Sequence, residues 1–503
     1  MKKLVNIISI LVLVVFAGGC KKFLDEKPLT QVPTENYFKS LKDVTAGMAG
    51  MYGSFQQEMT GDGNGFSGKY HYWGEGRSDN FDRSQYNNTT ITEEALNQMT
   101  SGNSVADWTG LYRTIGRANT CIKYIPQAAA FDNAVTTNVV NNNLAQAYAM
   151  RAMCYFYIVR LWGDAPLWTE PYLDITQQAS KPRNPKAEIL DTIVSDLTKA
   201  YNMIQKKQTA VIWNINEGTI AAMLADVYLW KKDYPKAITW TANVFTSKGS
   251  KAVDYGSTGT TLEPAATWKN LFINPANTNE AMWSISWDYN FNGCACLPIS
   301  MGLSNNPVAM DSVLHTNWKK NTADIRVKFS YDTLPGLGHW DKVIKFHNIA
   351  GNVIPTGTGA ALANTYNVYL TMYRLADVYL NYAEALNRSG DPVNSLRYLN
   401  YIRVRAGLPA LLATDPSIST QDKMEDVILN ERRYEFFAEG KRWFDLVRTG
   451  KVKEVMDPIL KIRQTKYGSA PDGFGSDLNK ILFPLHRNVL EYNKKLVQNP
   501  SYN

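Results

Sequence analysis

Five histidines, His71, His315, His339, His347 and His486, lie far apart in the sequence. None stands in an H-E-x-x-H pair, which would set two imidazoles on one helix face for zinc. No G-x-S-x-G elbow, P-loop or G-x-G-x-x-G turn occurs in a strand-to-helix context. Cys294 and Cys296 have no second pair and no histidine nearby, so they do not read as a tetrahedral zinc site. A glycosidase needs only two carboxylates, but no pair here is singled out by its setting, and the chain reads as non-enzymatic. No cofactor is expected. The many Asp and Asn residues leave a structural calcium open, although no D-x-[DN]-x-[DN]-G loop is present to hold one.

Two stretches suggest capture rather than catalysis. "KYHYWGEGRSDN" places Tyr70, Trp73, Arg77, Asp79 and Asn80 together. "SWDYNFN" does the same with Trp287, Tyr289 and Asn290. Flat aromatic rings stack on the apolar C–H faces of sugars, and Asn, Asp and Arg hydrogen-bond the hydroxyls. Trp318 and Trp340, in loop-like sequence, are further candidates. The competing reading for each ring is the core. Trp283, alternating with Ala281, Ile285 and Trp287 in "AMWSISW", is assigned to it as part of a strand. The expected binding arc lies where residues 60–90 meet residues 250–345.

The N-terminus carries a separate signal. "MKK" precedes the apolar run of residues 4–17, which is too short to span a bilayer comfortably and fits a secretory signal. Ala17, Gly18 and Gly19 then lead into Cys20, in the order of a lipobox, with Ala17 where Leu is more usual. Cys20 is read as the lipidated N-terminus. Cys121 and Cys154, in apolar helical stretches, are read as buried small hydrophobes. The formal charge is +7 over 503 residues, with no long Lys/Arg run, so nucleic acid is not an expected partner.

The elements that must position these residues are helical. Residues 41–56 and 144–160 show helical patterning, and Ile189, Ile193, Leu197 and Tyr201 share one helix face. "NEGTIAAMLADVYLWKKDYPKAITWTANVF" reads as a helix-turn-helix hairpin of tetratricopeptide (TPR) type. Aligning its Asp233 with Asp391 also aligns Ala225 with Ala383 and Ala237 with Ser395, which marks a second copy. Residues 144–204 and 422–449 could supply two more hairpins. The fold class is therefore mainly α, a TPR-like superhelix of about four hairpins with long loop-rich insertions and a few short strands. The expected divisions are 1–19 (signal peptide), 20–40 (extended leader), 41–249 (helical), 250–365 (loop-rich aromatic insertion) and 366–503 (helical).

"NERRYEFFAEGKRWFDLVRTGK", residues 430–451, mixes charges with aromatics. On a helical wheel Glu431, Arg432, Glu435, Glu439 and Arg442 fall within about 100° of one another, together with apolar residues. That face suggests a partly buried ion-pair framework, with Arg432–Glu435 and Glu439–Arg442 as i, i+3 pairs. Gly440 is where such a helix would stop or kink.

Three sets of segments together resemble the SusD/RagB family of outer-membrane lipoproteins. They are Cys20 with "KKFLDEKP" and "PTENYF", then "AMRAMCYFYIVRLWGDAPLW", then "YRLADVYLNYAEALNR", "NERRYEFFAEGKRWFDLVRTG" and "ILFPLHRNVLEYNKKLVQNPSY". The resemblance covers nearly the whole chain after residue 20. It implies four TPR-like hairpins and a lipid-anchored place on the outer-membrane surface. It also implies capture of oligosaccharides for a SusC-like TonB-dependent transporter, with the charged stretch as framework. Within the family the ligand could instead be a peptide or other nutrient, or the role purely structural beside the transporter.

Overall fold

The structure is a computed structural model that describes residues 37–61, 68–173, 176–288, 306–334, 337–349 and 367–502. Helix α1 (Leu41–Thr60) starts where the Ser40 hydroxyl accepts the Asp43 N–H. After it come a π-helical turn (Tyr72–Gly76), strand β1 (Phe81–Arg83) and α2 (Thr89–Ala95). Helices α3 (Thr109–Ala128) and α4 (Thr137–Trp162) pack against each other, and α4 is buried on all sides from Leu144 onward, as its all-round apolar sequence requires. Helix α5 (Lys186–Met203) packs on α4 and buries Ile189, Ile193 and Leu197.

The two predicted TPR-like hairpins form as α6 (Glu217–Trp230) with α7 (Tyr234–Thr246), and α10 (Leu375–Arg388) with α11 (Pro392–Arg405). Their turns repeat one local solution. Asp233 and Asp391 each cap the second helix with the side chain, and a proline sits in that helix's first turn. The close helix crossing explains the small residues: the Ser395 hydroxyl donates to the Ala383 carbonyl at 2.8 Å. Helices α4/α5 form a hairpin before these two, and α12 (Gln421–Glu435) with α13 (Arg442–Thr449) follows them. Helix α14 (Val452–Lys466) comes next, and α15 (Arg487–Tyr492) lies near the end.

Between α7 and α10 lie β2 (Ala281–Trp287), β3 (Val308–Met310), α8 (Ser312–Trp318), α9 (Ile325–Ser330) and β4 (Val368–Arg374). Two antiparallel pairs bind this stretch to its surroundings. Strand β1 pairs with β3, Phe81 opposite Met310, and β2 pairs with β4, Trp287 opposite Val368. One hydrophobic core runs from Phe38 to Val489. The insertion is therefore packed into the helical body. Among the described residues no helix is long and apolar enough to cross a membrane.

The last described segment is tied to the middle of the chain. The Phe483 N–H donates to the Leu161 carbonyl at 2.7 Å, and the Trp162 indole N–H to the Pro484 carbonyl at 3.0 Å. Arg183 donates to the Val497 carbonyl and to Asn499 Oδ1.

Candidate functional site

The meeting of residues 60–90 with the insertion is real, but most of the side chains expected to serve it are inside. Trp73 is fully buried, its indole N–H donating to the Val105 carbonyl at 2.8 Å and its ring packed on Tyr157 and Trp162. The Tyr70 hydroxyl donates to the Thr371 carbonyl. Arg77 lies over the Trp443 ring and donates to the Ile481 carbonyl. Asp79 is held by Arg442 at 2.7 and 3.0 Å and by Arg433 at 3.0 Å. Asn80 links Glu75 to Arg433. These five have no face left for a ligand, which corrects the expectation.

Trp287 is buried too, and Trp318 donates to Asp324 Oδ2 within a ring cluster of Tyr331, Tyr434 and Phe437. Of the candidates, Trp340 alone is half-exposed among the described residues. It lies beside β3, where Asn306 donates to the Asp341 carbonyl and Ser84 to the Asn306 carbonyl. The exposed Tyr86 follows directly. Tyr289, Asn290 and Cys20 lie outside the described residues.

The charged stretch is framework, but not through the expected pairs. Helix α12 ends at Glu435, and Ala438 and Gly440 take left-handed conformations at φ 63° and 66°. Arg432 turns instead to Asp377 and Asp445, Arg442 turns to Asp79, and the acids of the stretch meet cations distant in sequence. Arg374 reaches Glu280 and Glu435, each at 2.6 Å, and Glu439 at 2.9 Å. Arg326 reaches Asp324, Glu431 and Glu435, and Arg405 bonds Glu280 and Glu435. Lys345 meets Glu439, and Arg403 meets Glu431. Burial would raise the Glu435 carboxyl, but the charges of Arg405, Arg374 and Arg326 hold it well below the usual range.

Two other carboxyls move the opposite way. Burial pushes Glu75 and Glu94 up to about 8, values at which a carboxyl could serve as a general acid. Both are sealed inside, Glu94 with no hydrogen-bond partner among the described residues, and neither is open to a substrate. The arrangement supports packing rather than acid–base chemistry.

A ligand-sized space occurs elsewhere. A groove of about 370 Å³ is walled by Trp108 just before α3 and Tyr112 within it, by Trp168 and Tyr172 after α4, and by Tyr492 of α15. Tyr172 is 46% exposed and Tyr492 83%. Glu170 and Asn493 stand among the rings. The wall at residues 166–170 is pinned in place. Tyr112 donates to the Pro166 carbonyl at 2.7 Å, and Asn119 to the Trp168 and Glu170 carbonyls at 3.1 Å. Arg151, itself held by Asp196, donates to the Thr169 carbonyl at 2.8 Å. On the other side Asn493 donates to the Lys181 carbonyl, and Lys181 lies 4.1 Å over the Trp168 ring. Aromatic faces beside polar side chains can stack a sugar and hydrogen-bond its hydroxyls.

Sequence reasoning missed this groove. A signal was present. Trp168 and Tyr172 fall in the proline-flanked, polar "PLWTEPY", and Tyr492 in "EYNKK", where no apolar period asks for burial.

Comparison with known proteins follows the same lines. Residues 345–502 match the model of the SusD family, and residues 22–229 match a model described as "Starch-binding associating with outer membrane". The chain is 29% identical to SusD-like protein P38 of Formosa agariphila over all of both sequences. It is 24% identical to a SusD-like protein of Bacteroides ovatus, over 71% of this chain and 67% of that one. A laminarin binding SusD-like protein superposes with a TM-score of 0.71 at 19% identity, covering 92% of this chain and all of that one. The surface glycan-binding protein A from Bacteroides uniformis does so with 0.72 at 18%, covering 91% and 99%. At such identities these two likenesses establish the fold. The family models bracket most of the insertion from both sides, and the full-length relative spans it. The chain belongs to the SusD family.

Proposed function

We propose that this protein is a lipid-anchored binding protein of the outer-membrane surface. It captures oligosaccharides and delivers them to a SusC-like TonB-dependent transporter, with Cys20 carrying the anchor. The observation that carries the capture step is the aromatic groove of Trp168, Tyr172 and Tyr492 with Glu170 and Asn493 among the rings. The starch-binding description of the matching family model and the laminarin-binding neighbour support a glycan as cargo. Capture by stacking needs no catalytic residue, so the glycan leaves intact.

The test is a glycan array followed by calorimetry on the retained ligand. The Tyr172→Ala, Tyr492→Ala chain loses two stacking faces worth about 0.5–1.5 kcal/mol each, so affinity falls by roughly 5- to 150-fold with melting close to wild type. Full affinity in that variant, with loss in a Tyr86→Ala, Trp340→Ala chain, would move the site to the β1–β3 junction. Retention of peptides and of no glycan would overturn the glycan reading.

A further inference from the structure

Two adjoining grooves run along the insertion on a different part of the surface. One, of about 650 Å³, lies between residues 258–265 and helix α11. The other, of about 880 Å³, lies between Ala265–Ala266 and α8–α9. Ala265 lines both, and the Ile325 N–H donates to the Ala406 carbonyl at 3.0 Å, so the end of α11 abuts the start of α9. The pair forms one continuous track.

Its free charge is of one sign. Arg397 lines the first groove, and Lys319, Lys320 and Lys328 the second. Among the described residues none of these four pairs with a carboxylate. The acid on the track, Asp324, is buried and already neutralised by Arg326. Arg405, also on the first groove, is occupied by Glu280 and Glu435. Half-exposed rings, Tyr401 in the first groove and Phe329 in the second, lie along the same path. Unpaired cations and ring faces lining one track match a chain that carries repeated anions on apolar-faced rings.

We infer that this track binds an anionic polysaccharide, one bearing carboxylate or sulfate groups. The inference rests on the glycan-binding reading above and adds the charge class of the glycan. Arg397 and the three lysines pair with successive anionic groups, while Tyr401 and Phe329 carry the sugar faces between them.

The test is biolayer interferometry on the full mature chain against immobilised dextran sulfate, polygalacturonate, dextran and laminarin, with vesicles of an anionic phospholipid as a further surface. At least one anionic polymer binds, and raised salt weakens it because exposed ion pairs are screened. Lys319→Glu, Lys320→Glu, Lys328→Glu lowers that affinity by about tenfold or more. A charge-matched control, Lys42→Glu, Lys123→Glu, Lys199→Glu, keeps it. Arg397→Glu alone gives a smaller loss, and melting curves establish that each variant is folded. Equal loss in both triple variants, or no binding of either anionic polymer, overturns the inference. Lysine-dependent binding of the vesicles without the polymers also overturns it. Laminarin binding without binding of either anionic polymer would leave the glycan reading standing while this one falls. Failure of every polymer, neutral and anionic, would remove both.

Discussion

Glu435→Gln removes one carboxylate from the cluster in which Arg326, Lys345, Arg374, Arg403 and Arg405 face Glu280, Asp324, Glu431, Glu435 and Glu439. The charges balance in the native chain, and the substitution leaves one cation in excess in a place water does not reach. Breaking a buried pair from one side costs about 3–5 kcal/mol. The unfolding entropy of a chain this long is about 1 kcal/mol/K if it melts as one unit, so the melting temperature falls by only about 3–5 °C. Calorimetry should be backed by urea unfolding for that reason.

The pH dependence sharpens the test. The Glu435 carboxyl titrates below its ordinary 4.5 in the folded chain. Its stabilisation is therefore complete above that value, and is lost as pH falls from there towards the folded-state value. The gap between wild type and variant should be full at about pH 7 and clearly narrower at about pH 3.5. Equal stability at neutral pH would refute the framework role, as would a gap that does not narrow in acid. Glycan affinity of the folded variant stays unchanged.

Trp73→Ala should destabilise the fold by about 3–5 kcal/mol in urea unfolding and leave the glycan affinity of the folded fraction intact, because the ring is core. Gly74→Ala places a methyl 2.0 Å from the Gly440 carbonyl oxygen, so the chain should melt far lower or fail to fold. Gly53→Ala, whose methyl meets nothing within 4 Å in α1, should gain about 0.5–1 kcal/mol in the same thermal-shift assay. Cys20→Ala should move the protein from the outer-membrane fraction to the soluble one, and unchanged membrane association would sink the anchor.

The hairpins were legible because their signals are local. Asp233 and Asp391 announce caps, and the small residues 158 positions apart announce close crossings. The strand around Trp283 was legible from its alternation. The ion pairs were not, since each acid of the stretch meets a cation that lies elsewhere in the chain. The candidate site failed for an instructive reason. Glycine density around Trp73 reads as a display loop, yet Gly74 and Gly76 are there because backbone and side chains press against them. A methyl at Gly76 would stand 2.4 Å from Glu94 Oε2. Close packing and loop flexibility ask for the same residue, and composition alone does not separate them.

The contacts between residues 483–499 and the end of α4 also set a timetable. The ribosome releases this chain N-terminus first at about 5–20 residues per second, so Trp162 waits roughly 15–65 s for the carbonyl of Pro484, 322 residues later. Until then the aromatic cluster around α4 lacks one wall, and so does the groove that α15 completes. The N-terminal half cannot close prematurely into its final form.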